Sequence, residues 1–339
     1  MKVSIITPSF NRSDILHQTA ESIFNQTYTN WEWVVTDDGS TDDTWKLLQQ
    51  YAAADQRVKI FQRNRGPKGA CTCRNIAVEN ATGEYVMFLD SDDTIASFCL
   101  QQRVSAMQLA PECDFIIFPM LMFRYTPGDM NLLWNIDSPQ DDIERILTGD
   151  AVCQGTGTLW KKSSFVGIGM WDEKLLLWQD VELHLRSLLQ PLKYRKRLDL
   201  KPDTFLRISE VSISRTGYHS HPKFLSRLLV FRQTAEKMQQ KNLLQQYRPG
   251  LRSMFIDLFT NAANQRFENE IQPVLALQQQ FGLFNNKEVS MMKRYAWIRK
   301  GKLYRLPLLQ RLIFARIHTL SHPTASTLNK VSYKDKIAF

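Results

Sequence analysis

The chain has 339 residues, 43% hydrophobic and 23% charged, enough for a sizeable core in two domains or in one domain with a large extension. No stretch of about 18 uncharged apolar residues predicts a membrane-spanning helix, and the first apolar run, residues 3–6, is too short for a signal peptide. The five cysteines lack the paired Cys-x-x-Cys spacing of a zinc site, which predicts free thiols in a reducing cytoplasm.

The net charge of +9 is unevenly distributed along the chain. From residue 287 onward, twelve Lys or Arg residues stand against only Glu288 and Asp335, a net charge of +10, so residues 1–286 carry −1. Such a basic segment can contact nucleic acid, anionic lipid or an acidic partner, and charge alone does not choose among them.

The first sixty or so residues alternate between predicted strands and predicted helices. Residues 3–7, 31–36 and 58–61 are apolar runs typical of buried strands, and apolar residues recur at helical spacing between them. This alternation predicts βαβ units and a mostly parallel sheet. Polar residues follow the first two strands, at 8–11 and 37–42, which predicts a nucleotide site along that edge of the sheet.

A further buried strand is predicted over residues 85–89, and the carboxylates of Asp90, Asp92 and Asp93 follow it directly. Carboxylates just past the carboxyl end of a central strand lie where open α/β sheets bind their ligands. Oxygen ligands at this spacing suit Mg²⁺ or Mn²⁺, which would bridge the phosphates of a nucleotide. Taken alone, the same residues also fit a solvated acidic turn that caps the next helix.

Four short blocks carry the most specific pattern in the chain. They are residues 4–11 (Ser-Ile-Ile-Thr-Pro-Ser-Phe-Asn), residues 34–42 (Val-Val-Thr-Asp-Asp-Gly-Ser-Thr-Asp), residues 74–75 with 81–85, and residues 88–93 (Phe-Leu-Asp-Ser-Asp-Asp). In this order and near this spacing, the blocks resemble family-2 glycosyltransferases of the GT-A fold. The resemblance covers about residues 1–220 and implies an α/β fold of GT-A, Rossmann-like type, with a mostly parallel sheet flanked by helices.

The resemblance also implies a donor site and a metal site. In the family, the second aspartate of the Asp-Asp-Gly-Ser turn accepts a hydrogen bond from the nucleotide base, and Asp38 matches it. Arg74 would face phosphate or base, although an arginine there could also cap a helix or pair with a surface acid. Asp90 and Asp92 would hold a divalent cation, Mn²⁺ or Mg²⁺. The donor-binding set implied in this way is Thr7, Pro8, Asn11, Asp38, Arg74, Asp90 and Ser91.

Residues 178–186 resemble the family's segment in which a Gln-Asp pair precedes a helix, and the matching carboxylate is Asp180. An inverting transfer needs one base near the acceptor hydroxyl. The metal on Asp90 and Asp92 would instead neutralise the departing nucleoside diphosphate. Without the resemblance, Asp180 would be interpreted as a helix N-cap.

One position departs from the family pattern. Many relatives carry a metal-binding histidine just before a Ser-x-Ser segment, and Ser209 stands at the matching place here. His219 and His221 follow nearby, but histidines in loops are more often surface groups, and we leave them out of the metal set. The number of protein ligands to the cation therefore stays open.

After about residue 222, apolar residues recur at helical spacing, which predicts a C-terminal α-helical extension. We therefore divide the chain into a catalytic domain, residues 1–221, and a helical, basic extension, residues 222–339. Within the extension, the apolar stripe of residues 309–320 fits either an interfacial helix on an anionic membrane or a helix docked on the protein itself. The expected location is cytoplasmic, with peripheral attachment to the inner face of the cell membrane as an option.

The residues and the resemblance together predict a metal-dependent, inverting glycosyltransferase. It would move a sugar from a nucleotide-diphosphate sugar, with a UDP-sugar favoured, to a glycan or lipid-linked acceptor in cell-surface polysaccharide synthesis. One alternative is a GT-A-like nucleotidyltransferase, although residues 8–11 lack the Gly-rich basic loop of that class. The other is a nucleic-acid-binding protein that uses the basic tail. We expect no nucleic-acid partner, and the oligomeric state stays open.

Overall fold

The chain folds as a mixed α/β protein in a computed structural model. The central sheet is mostly parallel, and helices cover both of its faces, as the sequence predicts. The residues that the structure describes are 1–150, 152–209 and 216–301, with 317, 319, 320, 332 and 333. Most of the predicted apolar stripe at residues 309–320 lies outside them.

Within the described residues, the central sheet has seven strands and a smaller sheet lies beside it. In chain order the strands are β1 (Val3–Ser9), β2 (Trp31–Asp37), β3 (Val58–Gln62), β4 (Tyr85–Phe88), β5 (Thr94–Ile95), β6 (Phe115–Ile117), β7 (Met120–Phe123), β8 (Leu132–Leu133), β9 (Thr158–Lys161), β10 (Tyr194–Lys196) and β11 (Thr204–Arg207). The central order is β10-β6-β9-β4-β1-β2-β3, and of these described strands β9 alone runs antiparallel to its neighbours. The smaller sheet has the order β5-β11-β7-β8.

The helices fall into two groups along the chain. Those that cover the sheet are α1 (Leu16–Phe24), α2 (Thr44–Ala54), α3 (Ala70–Asn80), α4 (Cys99–Leu109), α5 (Asp142–Leu147), α6 (Lys162–Gly167) and α7 (Gln179–Leu188). Those of the extension are α8 (His221–Gln240), α9 (Arg248–Gln265), α10 (Glu268–Phe281) and α11 (Asn286–Lys300). No helix among the described residues is long and apolar enough to cross a bilayer.

Local sequence explains where the extension helices begin and end. A proline in the first turn starts both α8 and α9, where its missing N–H costs no hydrogen bond. Gly282 ends α10 in the left-handed conformation, at φ 61°. At the start of α11, the side chains and backbone amides of Asn285 and Glu288 bond reciprocally as a capping box.

Burial of alternate strand residues places hydrophobic cores on both faces of the sheet. In β1, Ile5 belongs to one core and Ile6 to the other. The core that contains Ile6 continues into the extension through Phe224 of α8 and Leu251 of α9, all fully buried. The extension therefore shares a core with the sheet, and the division into residues 1–221 and 222–339 stays a prediction.

A buried ion pair between Arg103 of α4 and Asp203 connects the two sheets. Both side chains are fully buried, and the guanidinium donates to both carboxylate oxygens, at 3.0 and 2.6 Å. It also donates to the carbonyl of Thr156, at 2.9 Å. The pair therefore fixes the loop before β9 against α4 and β11.

We expect Asp203→Asn to lower the free energy of unfolding by about 3–5 kcal/mol, because it leaves a buried guanidinium without its counter-charge. Urea unfolding followed by circular dichroism measures this change. Asp199→Asn is the matched control, since its pair with Arg197 at 2.8 Å is largely exposed and its loss should cost less than about 1 kcal/mol. Equal destabilisation by the two variants would contradict this account of the buried pair.

Candidate functional site

The carboxyl ends of β1, β2 and β4 meet at one edge of the central sheet, where the sequence predicts the donor site. Ser9 at the end of β1 lies beside Asp37 at the end of β2. On the other side of β1, the amide of Leu89 donates to the carbonyl of Ile6, at 3.0 Å. This register brings together the polar segments that follow the three strands, as expected for a ligand site in an open α/β sheet.

The two aspartates of the Asp-Asp-Gly-Ser turn have different partners. The carboxylate of Asp37 accepts hydrogen bonds from the amides of Gly39 and Ser40, at 3.0 and 2.9 Å, and so closes the turn. Gly39 has a φ of 81°, a conformation that glycine adopts without strain. The carboxylate of Asp38 instead accepts from the guanidinium of Arg63. Asp37 therefore builds the turn, whereas Asp38 is buried and paired with Arg63, and its predicted contact with a nucleotide base stays a prediction.

Asn11 fastens the loop after β1 to the loop after β2. Its side-chain oxygen accepts a hydrogen bond from the backbone amide of Thr41 at 2.8 Å, and its backbone amide donates to Ser40 Oγ at 2.9 Å. Pro8 and Thr7 lie deeper. Both are buried, and the Thr7 hydroxyl accepts from the indole of Trp33 at 2.9 Å. The structure therefore places Asn11 between the loops that follow β1 and β2, and Thr7 in the core beneath them.

Arg74 of α3 links two of the predicted site segments. Its buried guanidinium donates to Asp90 Oδ1 at 2.6 Å and to Gln179 Oε1, just before Asp180, at 3.1 Å. The guanidinium carbon lies 4.8 Å from the centre of the Trp171 ring. Burial disfavours the charge, but the surrounding acidic groups, with the carboxylate of Asp90 foremost, together outweigh burial and raise the pKa of Arg74. A permanent cation thus lies between the predicted metal residues and the predicted base.

The acidic residues after β4 form a compact group with arginines around it. Burial and the charge of Asp90 raise the pKa of Asp92, whose carboxylate lies 3.5 Å from the guanidinium of Arg12. Asp93 is buried and accepts from the amide of Arg207 at 2.8 Å. Burial and the charge of Asp92 raise the pKa of Asp93 well above its usual range. Asp93 therefore supports the loop, whereas Asp90 and Asp92 are partly exposed and Ser91 is buried between them.

This acidic group fits a divalent cation that takes some of its ligands from the protein and the others from a bound substrate. The repulsion that raises the pKa of Asp92 would be relieved by a cation between Asp92 and Asp90. No cluster of three His, Cys, Asp or Glu side chains suited to a metal occurs in the part of the chain that the structure describes. Mg²⁺ and Mn²⁺ sites of this kind take one or two carboxylates and complete their shell with phosphate oxygens and water. The two partly exposed carboxylates of Asp90 and Asp92 suit that chemistry.

Arg12 and Arg207 both contact Asp92, and the sequence does not single them out. Arg207 Nε donates to the carbonyl of Asp92 at 2.9 Å, and another of its nitrogens donates to Gln18 at 2.6 Å. Arg12 follows the first polar loop directly, and Arg207 lies two residues before Ser209, where relatives carry the metal-binding histidine. The closeness of each arginine to one of these two motifs is the sequence signal by which it could have been found.

His219 and His221, the two histidines that follow shortly after Ser209, are engaged elsewhere. His219 is hydrogen-bonded to Asn261 of α9 at 2.6 Å, and His221 to Glu270 of α10 at 3.0 Å. Both partners belong to the extension helices. These contacts give no reason to add either histidine to the predicted metal set.

Asp180 lies in the first turn of α7, whose N-cap is Trp178. Its Oδ1 accepts from the amide of Gly155 at 2.6 Å, and its other oxygen accepts no hydrogen bond from the residues that the structure describes. A side chain at Gly155 would place its Cβ 3.1 Å from the Trp171 ring and 3.4 Å from Asp180 Oδ1, so glycine permits this close approach. The arrangement orients one carboxylate oxygen and leaves the other available to a ligand.

Comparison with known proteins identifies the first half of the chain. Residues 4–166 match the family model for glycosyl transferase family 2. The putative teichuronic acid biosynthesis glycosyltransferase TuaG of Bacillus subtilis is 41% identical over 113 residues, 33% of this chain and 44% of that protein. The Escherichia coli UDP-Glc:alpha-D-GlcNAc-diphosphoundecaprenol beta-1,3-glucosyltransferase WfaP is 40% identical over 106 residues, 31% of this chain and 41% of that protein. The chain thus spans less than half the length of these relatives.

Solved structures confirm the fold class over most of the chain. The crystal structure of Staphylococcus aureus TarS 1-349 with UDP-GlcNAc has a TM-score of 0.64 and 22% identity, and covers 90% of both chains. The mannosyltransferase PcManGT of Pyrobaculum calidifontis with GDP-Man and Mn²⁺ has a TM-score of 0.50 and 15% identity, covering 89% of this chain and 86% of that one. At these identities the likeness concerns the fold alone. The GT-A-type sheet with C-terminal helices is therefore confirmed.

Proposed function

Because this chain carries a glycosyl transferase family 2 domain over residues 4–166, we propose that it transfers a sugar with inversion from a nucleotide-diphosphate sugar to an acceptor. The observation that carries the proposal is the position of Arg74. Its hydrogen bonds to Asp90 and Gln179 join the predicted diphosphate and metal site to the segment that bears Asp180. The leaving group would thus lie on one side of the buried Arg74, near Asp90, and the acceptor hydroxyl on the other side, near Asp180.

The names of the similar proteins support a UDP-sugar donor and a lipid-linked or glycan acceptor. The E. coli relative is named for UDP-Glc and a diphosphoundecaprenol-linked acceptor, and the TarS structure holds UDP-GlcNAc. A Campylobacter jejuni relative, 38% identical over 111 residues, is also a glucosyltransferase named for an undecaprenol-linked acceptor. We therefore place the activity in the synthesis of a surface polysaccharide.

The donor would lie across the ends of β1, β2 and β4. Asp38 would accept a hydrogen bond from the base, beside Pro8 and Asn11. Arg74 and the arginines near Asp92 would face the diphosphate and offset its charge as the sugar leaves. A divalent cation on Asp90 and Asp92 would supply further charge neutralisation to the leaving group.

Asp180 would act as the base toward the acceptor. As the acceptor oxygen attacks the anomeric carbon, its proton would pass to the carboxylate oxygen that Gly155 leaves without a hydrogen bond. The bond from the Gly155 amide holds the carboxylate in one orientation. The acceptor oxygen attacks the anomeric carbon from the face opposite the nucleoside diphosphate, which leaves with the electrons of the broken bond. This displacement inverts the anomeric centre.

Thermal stabilisation by sugar nucleotides tests the proposed donor site. We expect a UDP-sugar with Mn²⁺ to raise the Tm of the full chain, because a ligand at 100 times its Kd adds about 2.7 kcal/mol to the folded state. Asp38→Ala should abolish the shift, and the exposed control Asp199→Ala should keep it. Stabilisation by nucleoside triphosphates without any by sugar nucleotides would contradict the proposal and favour a nucleotidyltransferase.

A further inference from the structure

The helices of the extension enclose an apolar groove that the proposed sugar transfer does not use. This α9–α11 groove has a volume of about 310 Å³ and is lined by residues of α9, α10 and α11 and of the turn between α9 and α10. Its apolar lining includes Ala262, Ile271, Leu275 and Ala296. Such a groove can hold a hydrocarbon chain.

One face of α11 forms a side of the groove. Lys293, Ala296, Trp297 and Lys300 recur at helical spacing and all line it. Trp297 is 66% exposed, which is unusual for so large a side chain. An exposed indole beside an apolar groove is the amphipathic arrangement that settles at the headgroup level of a bilayer.

The charge around the groove is positive. Arg266, Lys293 and Lys300 stand against Glu268, so the lining carries +2. Lys300 pairs with Glu268 at 2.7 Å, while Arg266 and Lys293 form no ion pair with any residue that the structure describes. Two cations for which the described residues offer no counter-charge lie beside an apolar groove, and they complement a ligand that has an anionic head and an apolar chain.

We propose that the α9–α11 groove docks the protein on an anionic phospholipid bilayer. An acyl chain enters the groove, Trp297 lies among the headgroups, and Arg266 and Lys293 contact lipid phosphate. Nucleic acid would satisfy the cations, and its bases could stack on Trp297, but it would leave the apolar lining of the groove unused. The proposal does not depend on the sugar transfer, and it assigns the membrane contact to described residues rather than to the tail beyond residue 301.

Co-sedimentation with vesicles tests the proposal on the full chain. We expect binding to phosphatidylglycerol and phosphatidylcholine vesicles, weaker binding at high salt, and little binding to phosphatidylcholine alone. The variant Arg266→Gln/Lys293→Gln should lower the partition coefficient about 25-fold, because each basic residue near an anionic surface contributes about fivefold, or about 1 kcal/mol. Trp297→Ala should also lower it, including the part that remains at high salt.

The matched control is Lys46→Gln/Lys193→Gln, which removes two exposed lysines from the sheet domain with the same change in net charge. It should bind as the parent does. Equal binding by the parent, the control and the groove variants would overturn the proposal and assign any membrane contact to another segment. Binding of the parent to RNA but not to anionic vesicles would overturn it as well.

Discussion

Asp180→Asn is expected to lower the turnover number by about 10²-fold or more while donor affinity and folding are retained. The substitution keeps an oxygen that can accept the hydrogen bond from Gly155, but an amide cannot take the proton of the acceptor hydroxyl. Steady-state kinetics at saturating donor and acceptor, together with donor titration, separate these effects.

Asp199→Asn is the control for this experiment, because it removes one exposed carboxylate charge in the same way. It should leave the turnover number unchanged. If Asp180→Asn instead loses donor affinity and turns over normally at saturation, Asp180 is a binding residue and the base lies elsewhere. The result would separate a role in proton transfer from a role in holding the donor.

Asp92→Ala is expected to abolish transfer, and EDTA should do so reversibly in the parent. Asp92 and Asp90 are the partly exposed carboxylates of the acidic group, and the raised pKa of Asp92 reflects burial and the charge of Asp90. Loss of several kcal/mol of charge stabilisation on the leaving group corresponds to a rate loss of about 10²-fold or more.

Calorimetric titration of Mn²⁺ into the protein with UDP gives a readout besides activity. The parent should bind the metal and Asp92→Ala should not. Full activity in excess EDTA would contradict the metal assignment. In that case Arg12, Arg74 and Arg207 would be the cations left to offset the charge of the proposed diphosphate.

The strands that carry the site were predictable because each is a local pattern. The predicted runs at residues 3–7, 31–36 and 58–61 became β1, β2 and β3 with boundaries within two residues. Buried parallel strands are apolar on both faces and therefore appear as continuous apolar runs. The antiparallel direction and the pairing of β9 were not predicted, since they depend on contacts with β4 and β6 between residues far apart in the sequence.

The site was predictable in part for the same reason. The acidic motif at Asp90 and Asp92 and the turn at Asp38 can each be recognised within a few residues. The bond between Asp180 and Gly155 and the approach of Arg207 to Asp92 join segments 25 and 115 residues apart. Such contacts follow from the packing of α7 and β11 against the sheet and leave no local pattern in the sequence.

The most direct measurement is a crystal structure of the full chain with a UDP-sugar and Mn²⁺. We expect the uracil against Asp38, the diphosphate beside Arg74, and the metal on Asp90 and Asp92. We also expect Asp180 to face the anomeric carbon from the side opposite the diphosphate. A nucleotide bound away from the ends of β1, β2 and β4, or a diphosphate on the same side of the sugar as Asp180, would contradict these expectations.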